Sequence, residues 1–361
     1  MAKLIHPVTF RATVCIAVVV ALAVVAFGAY VRLSDAGLGC PDWPGCYGHV
    51  IGVPQAPHEV MRANQAFPDR PLVTAKAIKE MTHRYLAGAL GLLILTLAII
   101  AVRYRRRSQQ PLVLPMVLLL LVVFQALLGM WTVTLQLKPV IVMAHLLGGF
   151  ATLSLLWWLF LSGSGWSNPD WCSSSKHLRT IVLVGTLILI VQIALGGWTS
   201  ANYAALACPD FPTCQSQWWP QMDFSEGFVL WRGLGIDYEF GVLDNSARTA
   251  IHVAHRIGAL ITAIYLITLA SILLLRSRER VVRIVGGVVL LLTMAQVSLG
   301  IFNVMLGLPL IFAVAHNATA ASLLLAMLTL NYLFTVTDHA TASQPATSGA
   351  EYKKGVNDVL A

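Results

Sequence analysis

Residues 80–88 read EMTHRYLAG, and an apolar run continues from them to Val102. Glu80 and His83 are three residues apart, so on a helix they share one face. An ionisable group at the rim of a membrane span is by default a candidate functional residue. Taken alone, the stretch is also compatible with the frayed start of a helix carrying interfacial charges. The rest of the chain decides between the two.

That chain has 361 residues, 57% hydrophobic and 11% charged, with a mean hydropathy of +0.75. A water-soluble surface could hardly carry this composition, which is that of a polytopic membrane protein. The formal charge of +8 is dispersed in short clusters between apolar runs. Cations in that pattern set membrane topology and do not build a nucleic-acid-binding domain.

Apolar windows place eight spans at 13–32, 80–102, 112–136, 140–163, 179–199, 249–275, 282–306 and 309–335, each long enough to cross a hydrocarbon core of about 30 Å. Lys3 and Arg11 precede the first run, which is too long for a signal-peptide core and is kept as a span. Arg103, Arg105, Arg106 and Arg107 follow span two, Lys176 and Arg179 follow span four, and Arg276, Arg278, Arg280 and Arg283 follow span six. By the positive-inside rule these loops and both termini, including 1–12 and the linker 164–178, are cytoplasmic. The long connections 33–79 and 200–248 then face the other side, which is the periplasm if the cell is Gram-negative. The tail 336–361, rich in Ala, Ser and Thr, is expected to be disordered.

The chain repeats itself. CPDWPGC, from Cys40 to Cys46, returns as CPDFPTC, from Cys208 to Cys214. His83-Arg84 returns as His255-Arg256 at nearly the same offset. Gln125 with Gly129, sixteen residues before His145, returns as Gln296 with Gly300, sixteen before His316. The expected fold is therefore all-α: eight transmembrane helices in two four-helix repeats, 13–163 and 179–335. Each repeat has an even number of spans, so the two insert in the same sense and are parallel.

His83, His145, His255 and His316 lie inside spans near their outer ends, roughly 5–10 Å below the boundary at 1.5 Å per residue. A buried imidazole has two nitrogens to satisfy, and haem iron is one of the few partners that takes a neutral one as a ligand. A lone membrane histidine is more often a packing residue. Four at matched depth in a duplicated frame favour axial ligands, His83 paired with His145 and His255 with His316, with one haem per repeat near the outer face. No third Cys or His at that depth points to zinc, and no Cys-x-x-Cys-His motif occurs.

Glu80 breaks the repeat, because the aligned position is His252. Only the first copy has a carboxylate one turn above its ligand, where it can be tuned as a general base. The plainer readings are a solvated rim carboxylate and a surface role for His252. Arg84 and Arg256 are placed either to pair with haem propionates or to snorkel to headgroups. Gln125 with Gly129, Gln296 with Gly300 and Gln192 with Gly196 read as close helix packing. Cys40 with Cys46 and Cys208 with Cys214 face the oxidising side, where disulfides are the natural state, and would staple a loop over the haem below; redox exchange is the second option. Trp43, Trp198, Trp218, Trp219 and Trp231 fit an interfacial belt. Cys15, in a span, and Cys172, in a loop, receive no role.

Taken together these elements resemble the haem A synthase family in its cysteine-bearing bacterial branch, from RLSDAGLGC (32–40) through His316. The elements that carry the resemblance are Glu80-x-x-His83-Arg84, the two Cys-Pro-Asp-aromatic-Pro-x-Cys loops and NSARTAIHVAHR (245–256). The resemblance implies an oxidoreductase that oxidises a methyl group of haem O, through an alcohol and a hydrated aldehyde, to the formyl group of haem A for cytochrome oxidase assembly. It implies that His83 and His145 hold substrate haem O, that His255 and His316 hold a resident haem b, and that Glu80 is the catalytic carboxylate. Implied partners are the haem O-producing farnesyltransferase, cytochrome oxidase assembly factors, an unidentified electron-transfer partner, membrane lipid and further copies in a homo-oligomer; the implied location is the bacterial inner membrane. The alternatives are a di-haem b-type electron-transfer cytochrome and a haem transporter, for which a parallel duplication is also natural. Asp223, Glu226, Asp237, Glu239 and Asp244 of the second outer loop receive no assignment.

Overall fold

A computed structural model describes residues 8–106, 111–163 and 176–342. Among the described residues ten helices follow one another: α1 Val8–Leu33, α2 Pro57–Ala66, α3 Thr74–Arg103, α4 Val113–Thr134, α5 Pro139–Gly163, α6 Lys176–Ala201, α7 Phe224–Gly227, α8 Asn245–Arg276, α9 Arg280–Met305 and α10 Leu310–Ala342. All but α2 and α7 are long and apolar enough to cross a membrane, which makes eight spans. The molecule is an all-α, multi-pass membrane protein. Its spans are apolar on every side because lipid covers what the protein does not. Leu92, Leu120, Val191 and Leu291 lie exposed on the perimeter, while Ile94, Leu118, Leu156 and Leu269 are buried.

α1, α3, α4 and α5 close a ring, each packed on the next and α5 back on α1. α6, α8, α9 and α10 close a second ring in the same order, and α1 on α10, α5 on α6 and α5 on α10 join the two. Among the described residues the diagonal helices of each ring, α3 with α5 and α8 with α10, do not pack on one another. They face each other across the ring. One apolar core runs through both rings and includes Leu153, Leu156, Leu269 and Met327. The Trp157 indole donates to the Thr329 hydroxyl across the seam at 3.0 Å.

α3 begins at Thr74 and α8 at Asn245, both ahead of their apolar windows. The polar first turns are helical because the loops at this end press on them. A Cβ on Gly39 would lie 2.6 Å from the Lys76 carbonyl carbon, and one on Gly227 would lie 2.8 Å from the Ala247 oxygen. Only glycine permits such an approach. Glu80 is therefore well inside a helix and not at a frayed start. At the other terminus α10 runs on to Ala342, so helix takes up the first residues of the expected tail. Lys3, Arg107, Cys172, the Lys176 side chain and 343–361 lie outside the described residues.

Candidate functional site

The structure brings together the histidines that the repeat pairs. His83 on α3 and His145 on α5 stand on diagonal helices of the first ring, close enough to interact electrostatically. His255 on α8 and His316 on α10 do the same in the second. Each imidazole backs onto a glycine of a neighbouring helix. A Cβ would lie 2.9 Å from His83 Nε2 at Gly28, 3.6 Å from His145 Cε1 at Gly129, 3.1 Å from His255 Cε1 at Gly196 and 3.2 Å from His316 Cε1 at Gly300. The Gln-x-x-x-Gly element thus does more than pack helices: it shapes the seat of the imidazole. Gln192 Nε2 donates to the His255 carbonyl at 3.0 Å and lies 3.0 Å from His255 Nδ1. α1 has Val24 where α6 has Gln192, and the Val24 backbone stands beside His83.

His145 Nδ1, His316 Nδ1, Gln125 Nε2, Gln192 Oε1 and Gln296 Oε1 are buried without a hydrogen-bond partner. Buried polar atoms are normally satisfied, so a set of orphans around each histidine pair marks a place built for something else. Among the described residues no group of three or more His, Cys, Asp and Glu could hold a metal ion. What the pairs can hold is a centre that needs only two protein ligands, such as a haem iron whose other four bonds come from its own macrocycle. Gly28→Ala would set a methyl group against His83. We expect it to lower the haem content of the first ring and spare the second, while Gly88→Ala, with open space around it, changes neither; optical spectra of the purified variants check this.

Glu80 is 5% exposed and not solvated. Its Oε2 accepts the Cys40 amide at 2.8 Å and its Oε1 accepts Arg84 Nη2 at 2.5 Å. His252, on the matching turn of α8, is buried as well and is not a surface residue. The Cys208 amide lies 3.3 Å from its Nδ1 and Arg256 Nε lies 3.2 Å from its Nε2. A neutral imidazole has one lone pair for such donors and so can satisfy only one of them. The Glu80 carboxylate satisfies both and keeps lone pairs to spare.

The arginines have different partners from either expectation. Arg84 Nη1 donates to the carbonyls of Asp42 (3.1 Å), Pro44 (3.1 Å) and Gly45 (2.5 Å). Arg256 donates to those of Thr213 (2.8 Å), Cys208 (3.1 Å) and Asp210 (2.8 Å). Each guanidinium clamps the loop of its own repeat onto its helix. The clamped loops are closed by the disulfides Cys40–Cys46 and Cys208–Cys214.

Within them Asp42 accepts the amides of Tyr47 (2.6 Å) and Gly48 (2.8 Å), and Asp210 those of Gln215 (2.6 Å) and Ser216 (3.0 Å). The Thr213 hydroxyl, with those two amides, holds the Asp210 carboxyl below its ordinary range. A depressed carboxyl contributes stability that is present above its unfolded value, about pH 4, and is lost as pH falls through the folded value. Hydrogen exchange at the Gln215 and Ser216 amides should therefore be slow and pH-independent in its protection above about pH 4 and lose protection below. Asp210→Asn should show low protection throughout.

Elsewhere in the loops Trp198 is buried and donates to the Gly227 carbonyl at 2.9 Å, so it is no belt residue, whereas Trp218 and Trp219 are exposed. Asp223 caps α7, Glu226 pairs with Arg232, and Asp237 and Glu239 both pair with Arg70 of the first loop. Lys138, at the head of α5, is buried. A single lysine between two spans carries no signal of that in the sequence.

A family model described as cytochrome oxidase assembly protein, COX15-CtaA, matches residues 11–328. The haem A synthase of Shewanella oneidensis is 48% identical over 317 residues, 88% of this chain and 94% of that one. Those of Halalkalibacterium halodurans and Shouchella clausii are 27% identical over 296 residues, 80% of this chain and 85% of theirs, and 25% identical over 322 residues, 87% and 90%. The match spans both rings, all four histidines and both disulfide loops, and on it the chain belongs to the COX15-CtaA family of cytochrome oxidase assembly proteins.

Proposed function

We propose that this chain makes haem A: a membrane oxidoreductase that converts a methyl group of haem O to the formyl group of haem A. The observation that carries the proposal is a duplicated pair of diagonal histidines with a buried carboxylate beside only one of them. His83 and His145 would hold the substrate haem O, and His255 and His316 a resident haem b. The residues fit such a group: two ligands per site, an orphaned imidazole nitrogen in each ring and a glycine behind every imidazole. When bound, haem supplies the redox chemistry.

The chain's own residues bind, orient and move a proton. The glycine seats fix the imidazole planes, and each two-electron oxidation of the methyl carbon would take one oxygen atom from water, releasing two protons and passing two electrons to the electron-transfer partner. Glu80 is oriented from both sides by the Cys40 amide and Arg84, and its remaining lone pairs can accept a proton as the methyl carbon is oxidised. The disulfide loop thereby sets the position of the carboxylate.

The disulfide ends face the oxidising side of a bacterial inner membrane, with both termini cytoplasmic. Haem O arrives from the farnesyltransferase that makes it, haem A leaves toward cytochrome oxidase assembly, and an electron-transfer partner takes up the electrons. Expression in a bacterium deprived of its own haem A formation, but still making haem O, should restore haem A in extracted pigments. Accumulation of haem O with no haem A would defeat the proposal and leave a fixed di-haem cytochrome or a haem carrier in its place.

A further inference from the structure

Two cations stand at the disulfide end of the first ring. Arg32 lies four residues beyond Gly28 on α1, hence on the face of the glycine that backs His83 and about 6 Å further out. Lys138 stands just ahead of α5, seven residues before His145 and about 10 Å outward.

Lys138 is 1% exposed. Among the described residues it meets no carboxylate: its Nζ donates to the Gly233 carbonyl and lies 3.5 Å from the Trp231 ring centre. Arg32 Nη2 donates to the Ser200 carbonyl at 2.8 Å, its guanidinium lies 4.1 Å from the Tyr203 ring centre, and its Nε is buried without a partner. The hydroxyls of Tyr203 and Tyr238 are buried without partners too. Tyr238 lies 5.9 Å from Lys138 Nζ, and Phe240, two residues on, packs its ring 6.1 Å from that of Tyr203. Arg32 with Tyr203 and Lys138 with Tyr238 are thus two cation–tyrosine pairs bridged by Phe240.

Burying a cation is costly unless an anion accompanies it. Arg70, Arg84 and Arg232 each have a carboxylate from the chain; Arg32 and Lys138 have none. The positions that match them in the second ring are Ser200 and Pro309, both neutral. In the second ring the comparable cation is Arg248, seven residues before His255, whose Nε is also buried without a partner. Arg84 does not share the need for an anion, because Glu80 already supplies one.

We propose that Arg32 and Lys138, with the hydroxyls of Tyr203 and Tyr238, form a receptor for the carboxylate side chains of the haem held between His83 and His145. The receptor rests on the haem assignment above and adds a specificity to it: the first ring selects a tetrapyrrole diacid.

The test uses full-length protein in detergent, in the His255→Ala variant so that only the first ligand pair is titrated, with haemin and haemin dimethyl ester as probes. The unsubstituted site should prefer the diacid by about tenfold or more, as loss of charge-assisted hydrogen bonds requires. Lys138→Met and Arg32→Gln should each bring the ratio toward one while leaving the ester's affinity unchanged. Equal affinity for the two probes before substitution, a preference that survives both substitutions, or an equal loss of both probes would each overturn the receptor and leave the haem assignment standing. If neither probe binds before substitution, the receptor and the haem assignment fall together.

Discussion

His145→Ala should remove one haem per chain and all formation of haem A, whereas His316→Ala should remove the other haem, haem b. The two residues stand on equivalent helices of two similar rings, so the prediction is of selective loss. Removing partners that merely orient a metal ligand lowers affinity about 10- to 100-fold, and loss of an axial ligand should exceed that. The check is haem extraction and quantification per chain for each variant. If both variants lose the same pigment in the same proportion, the rings do not hold separate haems.

Glu80→Gln should leave both haems bound and lower conversion of haem O by about 10²-fold or more, the scale of a lost general base. The amide oxygen of Gln can still accept the Cys40 amide, and Arg84 keeps its three loop carbonyls, so the loop should remain clamped. His252 supplies a sharper control. Because it occupies the same structural place in the second ring, Glu80→His copies a residue that this fold already accepts there. A carboxylate that only anchors the loop would be replaced at the cost of one hydrogen bond with turnover kept; a proton acceptor placed for the substrate would lose turnover. Haem content measured beside turnover separates these outcomes.

The eight spans and the histidine pairs are legible in the sequence because apolar length and a duplicated frame are properties of the chain alone. The starts of α3 and α8 are not, since what makes their polar first turns helical is the pressure of Gly39 and Gly227 from distant loops. Arg84 and Arg256 show the same limit. A sequence displays the charge but not the carbonyls of Gly45 or Asp210 folded back onto it. The Gln-x-x-x-Gly repeats were visible as packing, yet what they pack is an imidazole on another helix, and only the ring order reveals it. Lys138 gave no sign because a lysine between spans is ordinarily a topological charge; its burial depends on Trp231 and Gly233 of the opposite half.

The stretch at residues 80–88 keeps its importance with its parts redistributed. His83 belongs to a histidine frame used twice, Arg84 holds the disulfide loop, and Glu80 joins that loop to the helix of one histidine pair only. The most direct test is to load purified protein with haem O, start oxidation, and follow the extracted haems by chromatography and mass spectrometry. The account predicts that haem O converts through its alcohol to haem A while one haem b per chain persists unchanged, and that His83→Ala stops the conversion without removing that haem b. Haem b as the sole pigment, with haem O left unaltered, would contradict it.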